Sequence, residues 1–320
     1  MTTTKTVFMF SGQGSQHYQM GRALFDHDPV FRATLVRLDD VAREIGGSSV
    51  VEALYAGGND RAGAFDQTLL THPAIFMVQY ALAQSLIAAG VVPDLTLGTS
   101  LGSFAAAAVA GFSDPERMLA AVIQQAAALD TCCDRGTMIA VLADPVLFDQ
   151  EFLRARCELA AVNFATHFVV STPREQIAEV EAGLKARQVA FKRLPVGYAF
   201  HSRWIDPAQA PFQSFMTSIR CDSGWLPLVC CDHARVLDRL PDDFFWHVVR
   251  RPIRFREAIT VLEQEHACEF VDVGPAGTLA TFLRYILPPA RRSAVHAILS
   301  PYGHDHTRLA AFAATRNRRH

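Results

Sequence analysis

The sequence predicts an α/β fold in which a smaller βαββαβ unit is inserted into a larger domain, and three observations carry that prediction. The β-branched and aromatic segment Thr6 to Phe10 runs directly into a Gly-Gln-Gly turn, as a buried strand ending in a loop does. A second short strand, Leu95 to Leu97, passes through the tight turn GTSLG into an alanine-rich helix expected over 104–110. Between Gly136 and Val196 the pattern reads strand (TMIAVL), helix (145–155), strand (CELAAVNF), strand (HFVVST), helix (173–187) and strand (VAFKRLPV). That order is the ferredoxin-like one, a unit of about 60 residues able to interrupt a larger domain. The expected boundaries are 134–199 for the insertion, with 1–133 and 200–320 forming the larger part.

The remaining elements follow from local signals. A helix is expected over 20–25, and a longer buried one over 73–89, where strong helix formers run up to Gly90, a C-cap residue. After the insertion long helices resume, with one more short strand, FVDVG, at 270–274. With 320 residues, half of them apolar, the chain can bury a large core without staples. Its 30 Lys and Arg nearly balance 32 Asp and Glu, for a net charge of -2, which excludes the footprint of a general nucleic-acid binder. Seven cysteines, including the adjacent pairs Cys132-Cys133 and Cys230-Cys231, make a poor disulfide framework, so a reducing, cytoplasmic setting is expected. The N-terminal apolar run meets Gly and Gln too early for a signal peptide. The richest apolar stretch, 104–112, is about half of what a membrane span needs, so neither a membrane nor a nucleic acid is an expected partner.

The chemistry concentrates at Gly98-Thr99-Ser100-Leu101-Gly102, a G-x-S-x-G pattern. In that pattern the nucleophile sits on a strained strand-to-helix turn, and small neighbours let the backbone bend. Such a turn exposes the serine hydroxyl, aims the next residue's N–H at a developing oxyanion and sets a helix N-terminus beneath it. Leu101 would be that donor. Serine needs a base, because its hydroxyl is scarcely ionised near neutral pH. Of the twelve histidines, the local sequence favours His201, in the apolar segment GYAFHS just after the insertion; His72, His167 and His233 remain alternatives on spacing alone.

Several motifs together resemble the malonyl-CoA:acyl-carrier-protein transacylase family, the acyltransferases of fatty acid and polyketide synthesis. They are FSGQGSQ at 10–16, THPAIFMVQYAL at 71–82, GTSLGSFAAAAVAG at 98–111, GYAFHS at 197–202, FWHVVRRPIRF at 245–255 and VDVGPAGTL at 271–279. Six motifs in matching order are far more specific than one pentapeptide. The resemblance implies an α/β-hydrolase-like core with the ferredoxin-like insertion, Ser100 as nucleophile and His201 as base in a dyad without an acidic member. It also implies backbone donors from Gln13 and Leu101 to the oxyanion, and a main-chain carbonyl, placed near Val248, that orients the base.

Departures from the family narrow the substrate. Malonyl-using members carry an Arg whose fork pairs with the substrate carboxylate, and the matching position here is Gln125, beside Gln124, on a helix almost bare of charge. An unpaired, partly buried carboxylate costs several kcal/mol, so malonyl transfer is disfavoured. Thr99 stands where the family has His, and Ser103 where Glu is common; Tyr198, Phe200 and Asn163 complete the expected pocket. Free-standing relatives without that Arg resemble the acyl hydrolases of trans-acyltransferase polyketide synthases and enzymes that move acyl groups between carriers. The leading expectation is hydrolysis of uncharged acyl groups from acyl carrier protein. A transacylase with displaced specificity is the rival within the fold, and a non-catalytic carrier-docking subunit the rival outside it.

Acidic carriers would meet basic residues near the cleft, with Arg203 preferred and Arg250, Arg251, Arg254 and Arg256 as further candidates. The run Cys230-Cys231-Asp232-His233 has no second pair at ligand spacing and reads as structural, so no metal is expected. No bound cofactor is expected either, the acyl group arriving on the phosphopantetheine of a carrier or on CoA. A monomer is expected, with a frayed tail over 316–320.

Overall fold

The computed structural model describes residues 4–56, 63–289 and 293–317. Among the described residues ten strands divide between two sheets. The larger sheet runs β10-β9-β1-β2-β7-β8, from β1 (Lys5–Phe10), β2 (Leu95–Gly98), β7 (Leu228–Cys230), β8 (Arg235–Leu237), β9 (Cys268–Asp272) and β10 (Ala294–Ala297). All neighbours are parallel except β7 with β8. A parallel sheet is covered on both faces, and β1 illustrates this. Phe8 and Phe10 enter the core on one side, Val7 and Met9 that on the other, and all four are fully buried.

The smaller sheet runs β4-β5-β3-β6 and is antiparallel throughout. Its strands are β3 (Gly136–Leu142), β4 (Glu158–Phe164), β5 (His167–Pro173) and β6 (Ala190–Arg193). Helix Ile177–Ala186 and the short helix Glu151–Arg154 connect them, as a ferredoxin-like unit requires. One face carries its own small core of Ile139, Val141, Leu153, Phe168, Val170, Val180 and Leu184. From the alternate positions, Met138, Ala140, Ala161 and Val169 belong to the main core. The insertion is therefore welded to the larger part.

Several elements differ from expectation. Helix Thr68–Ala88 starts five residues before Pro73. Inside a helix proline lacks the N–H that would bond the carbonyl four residues back, and its ring crowds that carbonyl; burial of nearly the whole helix outweighs that local defect. The expected helix 145–155 splits into a 3-10 turn, Pro145–Asp149, and one α-turn. The last strand stops at Arg193, before Pro195, which lacks a ladder donor. The final third is not long helices: α-segments of 7 to 13 residues alternate with β7, β8, β9 and β10. Arg316 is not frayed; its guanidinium pairs with buried Glu269 and bonds Thr6 Oγ1. The rest of the basic tail, 318–320, lies outside the described residues.

Candidate active site

β2 ends at Gly98, and helix Gly102–Val109 begins four residues later. Ser100 lies between them with φ 52, in the left-handed region. That conformation costs a non-glycine residue free energy and persists only where surroundings enforce it. The flanking glycines serve a different purpose from the expected bend, since neither has a positive φ. A Cβ on Gly102 would lie 2.2 Å from the Phe10 carbonyl oxygen, and one on Gly98 would lie 2.3 Å from Ser103 Cα. The glycines let β1, β2 and the helix close up, and the serine itself bears the strain. Thr99 fastens the turn to β1 by donating its N–H to Phe10 O at 2.9 Å.

His201 approaches from the other side with φ 59. Ser100 Oγ–H donates to His201 Nε2 at 2.9 Å, and His201 Nδ1–H donates to the Arg251 carbonyl at 2.7 Å. A carbonyl only accepts, so this second bond fixes the tautomer that leaves Nε2 as the acceptor. Complete burial pushes the His201 pKa down to about 4, against the raising effect of the Arg251 carbonyl, so the ring is neutral near pH 7. The base-orienting carbonyl is therefore that of Arg251 and not Val248. Val248 lies inside helix Phe244–Arg250, where carbonyls point along the axis, whereas Arg251 is extended beyond its end and turns its carbonyl outward. The neighbouring Val249 carbonyl instead accepts the His201 amide at 3.0 Å.

Sequence reasoning missed what holds these parts. Arg251 is fastened by Asp232, which is almost fully buried, at 3.3 Å, so the CCDH run serves the base indirectly. Ile253 donates its N–H to Ala160 O and accepts from Val162 N–H, tying the same segment to β4. On the serine side, buried Gln79 grips Ser11 through both backbone groups. Its Oε1 accepts from Ser11 N–H at 2.7 Å and its Nε2 donates to Ser11 O at 3.0 Å. This clamp fixes the loop that continues into Gly12 and Gln13. A Cβ on Gly12 would come within 2.9 Å of Ser100 Cβ. Among the described residues, the amides of Gln13 and Leu101 donate to no protein acceptor. Only the pattern FSGQGSQ pointed to this loop, and Gln79 was marked only as part of the motif at 71–82, with no role attached.

Ser100 and His201 face a chamber of about 140 Å³ between the two sheets. Gln13, Thr99, Asn163 and Phe200 line it as expected sites. Its other walls were not foreseen: Met138, Ala140, Ala161 and Val169 from the small sheet, and Thr278, Leu279 and Phe282 from the segment after β9. Tyr198, Gln124 and Gln125 are not among the lining residues. The Tyr198 hydroxyl instead donates to Asp130 at 2.7 Å, and Arg135 lies over its ring. Gln124 is half-buried. Gln125 is 1% exposed, and neither amide atom has a partner among the described residues.

The alternative histidines are elsewhere engaged. His72 is packed behind Phe200, with burial pushing its pKa down to about 3. His167 lines the chamber but bonds Asn163, and His233 lies beside Asp232. Four of the five basic residues expected to dock carriers are internally paired: Arg203 with Glu158, Arg250 with Asp206 and Glu158, Arg251 with Asp232, and Arg254 with Glu257; the fifth, Arg256, is exposed and has no carboxylate partner among the described residues. Among the described residues, no group of three or more His, Cys, Asp or Glu is placed to hold a metal. No described helix is long and apolar enough to cross a membrane.

A hydroxyl on a strained turn, a neutral imidazole accepting its proton and two free amides beside it are the parts of a serine acyl-transfer site. Comparison with known proteins gives the same class. The chain belongs to the acyl transferase domain family, whose model matches residues 7–320. It is 42% identical over 297 residues to the polyketide biosynthesis acyltransferase homolog PksD of Bacillus subtilis, with 92% of each chain covered. It is 41% identical over 304 residues to the corresponding homolog BaeD of Bacillus velezensis, covering 95% of this chain and 94% of that one. Among solved structures, the loading acyltransferase from the avermectin modular polyketide synthase superposes with a TM-score of 0.89 at 27% identity, over 98% of this chain and 99% of that one. The malonyl CoA-acyl carrier protein transacylase from Burkholderia pseudomallei gives 0.77 at 28% identity, over 90% and 100%. The fold is thus the α/β-hydrolase-like core with a ferredoxin-like subdomain found in these acyltransferases, and the protein is an acyltransferase-family enzyme.

Proposed function

We propose that this enzyme forms an acyl ester on Ser100 from carrier-bound thioesters of uncharged acyl groups and releases the acyl group to water, clearing carriers of such groups. The observation that carries the choice of acyl group is the charge of the chamber: none of its lining residues among those described is Lys, Arg, Asp or Glu. A malonyl carboxylate there would lose water without gaining a counterion, at a cost of several kcal/mol. Gln125, where malonyl-using relatives have Arg, supplies no charge either.

In the first half-reaction Ser100 Oγ attacks the thioester carbon while its proton moves to His201 Nε2. The oxyanion is met by the amides of Gln13 and Leu101. The C–S bond breaks, and the carrier thiolate takes the proton from the imidazolium. A water then repeats the sequence in reverse, its proton passing through Nε2 to Ser100 Oγ as the ester C–O bond breaks, leaving a carboxylic acid. The Arg251 carbonyl steadies the imidazolium in both steps, without a carboxylate. Transfer to a second carrier thiol shares the first half-reaction, and the similarity to polyketide biosynthesis acyltransferase homologs supports it as a second reading. The assembled Ser100–His201 pair argues against a purely docking role.

Intact mass spectrometry tests the proposal. The enzyme is mixed with acetyl-, longer acyl- and malonyl-loaded carrier protein, with and without an empty second carrier, beside the Ser100→Ala variant. The expected result is loss of acetyl and longer acyl groups from the carrier to solvent, no malonyl loading, and no reaction with Ser100→Ala. Rapid malonyl loading would overturn the uncharged-acyl assignment. An ester that waits for the second carrier would overturn hydrolysis.

A further inference from the structure

The internal pairing of Arg203, Arg250 and Arg251 leaves unanswered where an anionic substrate carrier is met. A recess of about 670 Å³ on the opposite side of Leu194 from the catalytic chamber offers an answer. His17, Arg135, Arg174, Lys192 and Arg193 line it, and Asp66 is the one carboxylate among its described lining residues. Arg135 and Arg193 are held by Asp130 and Glu181. Arg174 and Lys192 are exposed and have no carboxylate partner among the described residues. The recess therefore carries an unbalanced positive charge, unlike the paired arginines around His201.

The recess also abuts the chamber along two stretches of chain. Ser11 to Ser15 line the chamber, and Gln16 and His17 line the recess. Lys192 and Arg193 lie in the recess, and Leu194 forms a wall of both cavities. A Cβ on Gly14 would meet Leu194 Cδ1 at 3.9 Å, so these two stretches pack together at the wall the two cavities share. A ligand spanning them needs an anion at one end, a neutral and partly apolar middle to pass Leu194, and a thioester at the other end beside Ser100.

We propose that this recess binds the phosphate ester of the pantetheine arm that delivers the acyl group, with Arg174 and Lys192 as its charged contacts. This rests on the reading that acyl groups arrive on phosphopantetheine. It makes the recess a phosphate-recognition site set apart from the uncharged acyl chamber. Arg174 presents a fork suited to a phosphate, and Lys192 a mobile point charge.

The cleanest probe is a pair of donors that differ only by the phosphate, acetyl-phosphopantetheine and acetyl-pantetheine, with acetyl-CoA and acetyl-carrier protein as further arms. In the Arg174→Ala/Lys192→Ala variant, KM for acetyl-phosphopantetheine is expected to rise tenfold or more relative to that for acetyl-pantetheine. The CoA and carrier donors should follow the phosphorylated one. An unchanged ratio would overturn the proposal. So would a defect confined to the carrier-protein donor, because that marks a protein surface contact rather than phosphate recognition. Should the wild type turn over none of these thioesters, the functional reading fails separately. Calorimetric binding of phosphopantetheine against pantetheine then decides the recess by itself: a phosphate-dependent affinity lost in the variant supports it, and equal affinities reject it.

Discussion

Ser100 and His201 meet at 2.9 Å in the same left-handed backbone conformation, yet they are held there in opposite ways. Ser100 is set by local chain, a strand, a three-residue turn and a helix within the fifteen positions 95–109, packed on β1. His201 follows the inserted unit and is set by distant groups: the Val249 carbonyl on its amide, the Arg251 carbonyl on its ring, and Ser171 Oγ–H donating to the carbonyl of Phe200 beside it. One member of the proposed catalytic pair is placed by sequence neighbours and the other by tertiary neighbours. The position of Ser100 therefore tolerates changes elsewhere, while that of His201 is exposed to any change that loosens the 249–254 segment. The oxyanion loop belongs with the base in this respect, since Gln79 reaches it from 68 positions away.

The largest expected effect is at that clamp. Gln79→Leu removes both hydrogen bonds to Ser11 at a fully buried site, freeing the Gln13 amide from its aim. A misplaced oxyanion donor costs about 10²–10³ in kcat. Steady-state kinetics on a small acyl thioester should show that loss in kcat with KM little altered. A defect confined to KM would show that the loop serves binding instead.

A smaller effect should appear on the base. Asp232→Asn weakens the hold on Arg251 while keeping the volume. The Arg251 carbonyl stays near His201, so kcat should fall by roughly tenfold, less than the about 10²–10⁴ that general acid–base catalysis as a whole contributes. Gln79→Leu and Asp232→Asn combined should multiply if the two supports are independent. A combined loss no larger than the clamp's alone would break the distinction between them.

A third effect concerns stability against pH and leaves the rate at neutral pH alone. His201 and His72 are buried and neutral, with pKa values lowered to about 4 and about 3 from 6.5. Between those values and 6.5 the unfolded chain binds more protons than the folded one, so stability is lost as pH falls below about 6.5. His72→Gln should shrink the drop in unfolding free energy between pH 7 and pH 4.5 by about 2–3 kcal/mol, read from urea melts at both values. The acid limb of activity should still lie near the lowered His201 pKa in that variant. A limb that moves with His72 would tie it to the chemistry.

The amino-acid sequence determined by itself what short-range physics dictates. Apolar alternation and turn residues marked the inserted βαββαβ unit, because each of its strands is four to seven residues long and bounded by turn formers. The Ser100 turn was legible because a nucleophile on a strand-to-helix turn needs its neighbours in sequence. Strands β7, β8 and β10 escaped notice, being three or four residues long and too short for a period to show. Only the tertiary structure decided that Arg251 rather than Val248 faces the base, since the end of a helix, not composition, turns a carbonyl outward. It decided that Tyr198 faces Asp130 and that small residues of β3, β4 and β5 wall the chamber, because which face of a strand meets a neighbouring sheet is settled by packing. It also decided which arginines are free. Arg203 and its partner Glu158 are 45 positions apart, and ion pairs of that separation leave no local trace.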